Sequence, residues 1–299
     1  MNFERPGDEA GPGGSRLARP RRVRRFGPFR AGQYVLLALV LAVADLPLLW
    51  IVLTAFKADQ EIVAFPPTII PEQFTLENFQ NLFLISPFGA YLTNSLIVAV
   101  TTTALTVVLG MFAAYSLTRF RFRFLRGVGE LSLFAYMVPP ILVLVPIAQI
   151  LVGLKLSNNL VALIVLYTAT LLPFALWVLR SYFHGITVEL EQAAMVDGCT
   201  RFGAFIRVVV PQAVPGLIST AVFTFNAAWS EYLFASTLMT TPTSLTLSPG
   251  LALLLDQTGV YSWGVLMAGS VIVVVPVVAL FIIAQKQLVG GLGAGAVKG

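Results

Sequence analysis

Five residues near position 230 place hydrogen-bonding groups and aromatic rings inside an apolar stretch long enough to cross a bilayer: Asn226, Trp229, Ser230, Glu231 and Tyr232. A carboxylate at membrane depth is costly, so Glu231 should face a helix bundle or a water-filled cavity. Such groups suit the hydroxyls and C–H faces of a sugar, which makes the five candidates for a solute pathway. The alternative is that Glu231 and Asn226 only hydrogen-bond neighbouring helices.

Other reactive groups are scarce. One cysteine, Cys199, and one histidine, His184, cannot form an internal disulfide or a structural zinc site. None of the four lysines follows a glycine, so the chain has no phosphate-binding P-loop. No catalytic or metal site is predicted, and no cofactor is expected on this chain. No apolar span has an Arg or Lys in its interior, which favours a neutral, hydroxyl-rich solute.

The elements that must position these residues are membrane helices. Apolar residues make up 57% of the 299 residues, charged residues 11%, and the mean hydropathy is +0.85, which excludes an ordinary soluble enzyme. The sequence therefore predicts an all-α integral membrane protein. Six apolar runs are long enough to span: 34–56, 89–117, 127–152, 160–180, 214–239 and 263–285. Prolines 139, 140, 146 and 173 are expected to break helices inside the bundle.

The distribution of positive charge predicts the orientation. Of the 19 lysines and arginines, only Lys57 and Lys155 fall in loops on the side opposite the N-terminus. The asymmetry places both termini in the cytoplasm. Residues 1–33 are predicted to be a disordered basic tail attracted to membrane lipid, residues 34–285 the transmembrane domain, and residues 286–299 a cytoplasmic tail. The arginines flank apolar spans instead of lining one surface, so nucleic-acid binding is not expected.

The cytoplasmic segment 181–215 has a helical pattern of its own. Thr187 is expected to cap a helix that Gly198 ends, and small side chains follow one face of it. Thr200 is expected to cap a second helix, which Pro211 stops. Two short helices that meet at a glycine could form a projection for another protein to grip, or could lie on the lipid headgroups.

This segment resembles the EAA loop of binding-protein-dependent ABC importer permeases, whose pattern is E-A-A, three residues, G, nine residues, then I-x-L-P. The matching run is Glu191-Gln192-Ala193-Ala194-Met195-Val196-Asp197-Gly198, continued by Val208-Val209-Val210-Pro211. Gln192 stands where the family has Glu, which puts in doubt a salt bridge from that position. The resemblance assigns contact with an ATPase to seven residues: Glu191, Gln192, Ala193, Ala194, Asp197, Gly198 and Pro211.

Further segments resemble the maltose-type sugar permeases, and one of them adds Asn94 to the candidate pathway residues. They are Asn94-Ser95-Leu96-Ile97-Val98-Ala99, Met137-Val138-Pro139-Pro140, Leu172-Pro173-Phe174 and Trp229-Ser230-Glu231-Tyr232-Leu233-Phe234-Ala235. The resemblance implies the type I ABC importer fold in a bacterial inner membrane. It also implies three kinds of partner: a second homologous permease subunit, a homodimeric ABC ATPase that binds ATP and Mg, and an extracytoplasmic solute-binding protein.

The resemblance thus predicts a permease subunit of an ATP-driven importer for a sugar or oligosaccharide. Alternatives are an importer of another polyol-type solute such as glycerol phosphate, a secondary transporter that carries a coupling proton on Glu231 or Asp45, or a membrane scaffold that transports nothing.

Overall fold

The computed structural model describes residues 28–120, 123–258 and 263–296, and in these ranges the regular secondary structure is helical. Residues 1–27 of the predicted basic tail and residues 297–299 of the C-terminal tail lie outside the described residues. The helices are α1 (Pro28–Ala55), α2 (Asp59–Ile62), α3 (Glu77–Ile85), α4 (Phe88–Arg119), α5 (Arg123–Met137), α6 (Pro140–Gly153), α7 (Leu160–His184), α8 (Val188–Val196), α9 (Arg201–Ala204), α10 (Val210–Trp229), α11 (Leu233–Leu238), α12 (Leu247–Thr258) and α13 (Trp263–Ala296).

Five helical stretches within the described ranges are long and apolar enough to cross a membrane, or six if the bent pair α5 and α6 counts as one span. The predicted all-α membrane fold is therefore confirmed. The chain divides into two units, Met1–Pro47 and Leu48–Gly299. The described part of the first unit is the beginning of α1, whose apolar side chains are exposed, as expected where lipid is the solvent.

The second unit is built around three long helices, α4, α7 and α10, which pack on one another. The larger cluster of buried side chains includes Tyr91, Tyr167 and Trp229. The smaller cluster includes Phe183 and Phe205 and lies where α7 leads into α8. The two clusters mark two regions of the bundle, and each holds one of the two candidate sites.

The segment between α1 and α4, residues 56–87, is folded and is called the cap after α1. The Asn78 side chain donates to the carbonyls of Ala55 and Lys57 at 3.0 and 2.7 Å, which ties α3 to the end of α1. The Thr68 hydroxyl donates to Glu61 and lowers the pKa of that carboxyl below its ordinary value, an effect to which the N–H of Glu72 and the charge of Lys57 add. Lys57 is buried here and donates to the Thr68 carbonyl.

The third predicted span, 127–152, is not one straight helix. The segments Leu131–Met137 and Pro140–Gly153 meet at an angle of 99°. Neither Pro139 nor Pro140 has an N–H to continue the helical ladder, and a residue before proline is pushed out of the helical conformation. The other two prolines expected to break helices, Pro146 and Pro173, lie within continuous helices, so that part of the prediction is wrong.

The fifth predicted span, 214–239, also has different limits. Helix runs from Arg201 into α10 through a π-helical turn, Phe205–Val209, and the prediction that Pro211 stops it is wrong. In this wider turn the N–H of Val210 bonds to the carbonyl of Phe205, five residues earlier, and the Gln212 amide donates to the Val208 carbonyl at 3.0 Å. The π-helical turn lies directly before Pro211, which has no N–H to donate to a carbonyl of the preceding turn. At its other end the helix stops at Trp229 and resumes at Leu233.

Candidate functional site

The first candidate site is the connection from α7 through α8 to α9, residues 185–200, called the elbow below. Helix α8 ends in a Schellman motif: Cys199 N–H bonds to the Ala194 carbonyl at 3.0 Å and Gly198 N–H to the Met195 carbonyl at 3.1 Å. Gly198 has φ +90°, which L side chains rarely adopt, and nothing lies within 4 Å of a Cβ placed there. The backbone conformation, and not a lack of space, therefore requires glycine.

The caps of the elbow differ from each other. Thr200 accepts a bond from the Gly203 N–H at 3.0 Å, which confirms the predicted cap of α9. Thr187 occupies the N-cap position of α8, but its side chain makes no cap bond, so that expectation is wrong. Glu189 and Glu191 lie in the first turn of α8, where the helix dipole favours acids. The dipole interaction and tertiary contacts replace the missing cap.

Most of the residues that the EAA resemblance assigned to partner contact are exposed. Gln192, Ala193, Asp197, Gly198 and Pro211 face outward, and Ala194 is half-buried. The seventh, Glu191, is 4% exposed and faces the protein's own interior. The elbow thus has an outer side where Ala193 and Gly198 are exposed among larger residues, and an inner side anchored by one carboxylate.

Glu191 is held by two side chains of α4. The Tyr115 hydroxyl donates to Oε1 at 2.6 Å, and the Arg119 Nε donates to Oε2 at 2.6 Å in a salt bridge. The sequence analysis missed both residues. Their spacing of four, which places them on one face at the end of an apolar span, was the available signal.

Beside this salt bridge is a cavity of about 330 Å³, open on one side. Aromatic rings close the other side of the network; the ring centroids of Tyr115 and Phe205 are 4.3 Å apart. Side chains of both charges line the cavity: Tyr115, Thr118, Arg119, Val188, Glu191, Gln192, Met195, Arg201 and Ala204. No group of three potential metal ligands (His, Cys, Asp or Glu) comes together anywhere in the described ranges.

The second candidate site is the helix break between α10 and α11. Glu231 lies in the break and accepts three hydrogen bonds: from the Phe234 N–H at 2.8 Å, from the Ala235 N–H at 3.1 Å, and from the Tyr167 hydroxyl of α7. The carboxylate therefore caps α11 and joins it to α7. This arrangement matches the alternative in which Glu231 links helices.

The remaining candidate pathway residues do not converge on one cavity. Trp229 is buried. Its ring stacks on that of Phe225 with 5.5 Å between the ring centroids, and its indole N–H donates to the Val273 carbonyl at 3.1 Å. Asn94 donates to the carbonyls of Thr243 and Leu245 at 2.9 and 3.0 Å, which ties α4 to the loop before α12. Asn226 is half-buried, whereas Ser230 and Tyr232 are exposed at the break.

Comparison with protein families gives one match to the chain, a model described as "Binding-protein-dependent transport system inner membrane component", which covers residues 106–291. The inner membrane ABC transporter permease protein YcjP of Escherichia coli strain K12 is 38% identical over 90% of this chain and 97% of its own length. The trehalose/maltose transport system permease protein MalG of Thermococcus litoralis is 35% identical over 88% of this chain and 95% of its own. The sulfoquinovosyl glycerol transport system permease protein SmoH of Agrobacterium fabrum is 36% identical over 89% of this chain and 93% of its own length.

Two solved structures share the fold. A chain of a bacterial ABC transporter involved in the import of the acidic polysaccharide alginate superposes with a TM-score of 0.73 at 19% identity, covering 87% of this chain and 96% of that one. A chain of a bacterial alginate ABC transporter in complex with an alginate pentasaccharide-bound periplasmic protein superposes with a TM-score of 0.61 at 15% identity, covering 87% of this chain and 93% of that one. At these identities the likeness extends to the fold alone.

Proposed function

This chain belongs to the family of binding-protein-dependent transport system inner membrane components, and on that premise we propose that it carries a sugar or oligosaccharide across the membrane as one half of a transport pathway. It is a multi-pass inner membrane protein and a permease subunit of an ABC transporter. Permease subunits of this family are not themselves enzymes. A second homologous permease subunit would complete the pathway, and a homodimeric ATPase would bind ATP and Mg.

The elbow is the observation that carries the mechanism. Its outer side presents the short side chain of Ala193 and the glycine turn at Gly198, so a partner's cleft can approach the backbone of α8 closely. The apolar side chain of Val196 projects beside them and is 87% exposed. Closure of the ATPase pair would push this surface and tilt the helix bundle between inward-open and outward-open states.

The substrate class is supported by the relatives and by the charge pattern. Among them, MalG is named for trehalose and maltose and SmoH for sulfoquinovosyl glycerol. The spans carry no cation in their interiors, which favours recognition of a solute's hydroxyl groups over recognition of an anionic group. Ser230 and Tyr232, exposed at the break that Glu231 shapes, are the pathway residues we propose to contact the solute. An extracytoplasmic solute-binding protein would deliver it.

The bonding of Glu231 counts against a proton-coupled secondary transporter. Two of its three partners are backbone N–H groups, which can only donate, so a proton on the carboxyl would weaken the cap of α11; the third partner, the Tyr167 hydroxyl, can donate or accept. In the proposed importer the residue joins α11 to α7 and carries no coupling proton.

The test is purification of the tagged chain from its native membrane, followed by uptake assays. An ATPase and a second permease should come with it. Uptake should stop when the ATPase carries a substitution that blocks hydrolysis, and should survive an uncoupler that collapses the proton gradient while ATP is supplied. The proposal would be refuted if uptake stopped when the proton gradient collapsed and continued when the ATPase carried the substitution.

A further inference from the structure

The guanidinium of Arg119, the last residue of α4, makes several polar contacts with the elbow and with the end of α7. Besides the salt bridge to Glu191, it donates to the carbonyl of Ile186 at 3.0 Å and to that of Phe183 at 3.4 Å. Phe183 is in the last turn of α7, where helix carbonyls lack intrahelical partners, and Ile186 is in the link to α8. One planar group therefore joins α4, α7 and α8.

The salt bridge is sheltered from water. The side chains of Arg119 and Glu191 are 7% and 6% exposed, and rings of Tyr115, Phe183 and Phe205 pack around them. In such surroundings a charge is stable only with its partner, because removing one partner leaves the other buried and unpaired. The pair therefore holds α8 against the end of α4.

The chain offers a second connection from the elbow to the spans, through the backbone instead of through side chains. It runs from α8 through the left-handed turn at Gly198 and the π-helical turn Phe205–Val209 into α10. π-helical turns are irregular, and inside longer helices they often mark functional sites. Force on α8 can thus reach the spans through the side-chain contacts of Arg119 and Glu191 or through the backbone that continues into α10.

We propose that Arg119, Glu191 and Tyr115, called the elbow clamp, make α8 move as one body with α4 and α7, so that force applied to the elbow enters the membrane through this clamp. The inference rests on the proposed function, since it specifies how an ATPase partner moves the spans. The three are positioning residues: they act through the placement of α8, while the exposed Gln192 and Ala193 meet the partner.

The first experiment compares Glu191→Gln and Arg119→Gln with the matched control Glu189→Gln, an exposed acid on the same helix. The readout is solute transported per ATP hydrolysed by the whole complex in liposomes. We expect this ratio to fall about tenfold in the clamp variants, in the range of ordinary coupling energies, while ATP hydrolysis and copurification of the ATPase persist. The control should match the unmodified chain.

An unchanged ratio in Glu191→Gln would overturn the clamp, as would an equal fall in the control. If Arg119→Gln fails to accumulate, Glu191→Gln decides alone, because its amide preserves the size of the side chain. Failure of the proposed function looks different: no ATPase would copurify with the unmodified chain.

The second experiment measures the rigid body directly. Spin labels at Ser181 of α7 and Glu189 of α8, both exposed and outside the proposed partner contact, are introduced with Cys199 replaced by Ser. With the clamp intact, the distance distribution between the labels should be the same with and without ATP, and Glu191→Gln should broaden it. A nucleotide-dependent shift in the intact protein, or no broadening in the variant, would contradict the inference.

Discussion

At the scale of single residues, two neighbours on α8 have opposite roles. Glu191 is buried and bonded to α4, while Gln192 is exposed and available to a partner. The family pattern has an acid at the position of Gln192, so the partner contact that we propose there would be made without a charge. Neutrality at Gln192 leaves the internal salt bridge untouched, because that bridge uses the preceding residue.

Gly198 gives the sharpest prediction at this scale. Replacing it by Val forces a β-branched side chain into a left-handed conformation, at a cost of about 1–2 kcal/mol, and turns the end of α8. Uptake should be lost, while the protein stays in the membrane. Gly198→Asn, which tolerates the same conformation, is the control and should retain most uptake. Equal uptake in both variants would contradict the role of the turn.

Glu231 gives the second prediction at the scale of single residues. Glu231→Gln replaces one carboxylate oxygen by an NH₂ group that must face a donor, so we expect the variant to be destabilised by about 1–3 kcal/mol. Thermal unfolding of the purified complex measures this. Tyr232→Phe, at the exposed neighbour, should leave the unfolding midpoint unchanged and weaken solute affinity. Normal stability in Glu231→Gln would show that its bonds to α11 and α7 are dispensable.

At the scale of elements, close contact between helices depends on small residues where α7 and α10 meet. A Cβ added at Gly216 would lie 2.5 Å from Cγ of the Tyr182 ring. The helices can therefore approach only while position 216 lacks a side chain. The contact adjoins the elbow, because Tyr182 is in the last turn of α7.

Gly216→Ala should accordingly separate α7 from α10 and destabilise the protein by about 1–3 kcal/mol, as overpacking does. The matched control is Gly89→Ala in α4, where an added Cβ meets nothing within 4 Å. The unfolding midpoints of the two variants are compared in one detergent. A second substitution, Tyr182→Ala, should restore much of the loss; no difference between Gly216→Ala and Gly89→Ala would disprove the packing argument.

At the scale of the whole molecule, the two ends of the bundle differ in charge and in exposed side chains. The elbow lies on the side predicted to be cytoplasmic, where arginines cluster, and the cap after α1 lies on the side predicted to be external. The cap exposes apolar residues, among them Phe65, which is 96% exposed.

The predicted orientation can be tested by cysteine labelling after Cys199 is replaced by Ser. Phe65→Cys should react with a membrane-impermeant maleimide in spheroplasts, whose inner membrane is intact, because the cap after α1 is predicted to face outward. Val196→Cys in the elbow should react only after the membrane is permeabilised. The reverse pattern would place the elbow outside and exclude contact with a cytoplasmic ATPase.

The sequence by itself determined the membrane class, the apolar spans, the turn at Gly198 and the cap at Thr200, because hydropathy and helix ends depend on residues close together in the chain. Only the tertiary structure decided that Glu191 points inward, since its partner Tyr115 lies 76 residues away, and that Glu231 bonds to Tyr167, 64 residues away. The 99° bend and the π-helical turn also belong to the tertiary structure. Proline removes an N–H from the helix wherever it occurs, yet the helix breaks at Pro139, continues through Pro146 and Pro173, and widens before Pro211, so the local residue type alone does not fix the outcome.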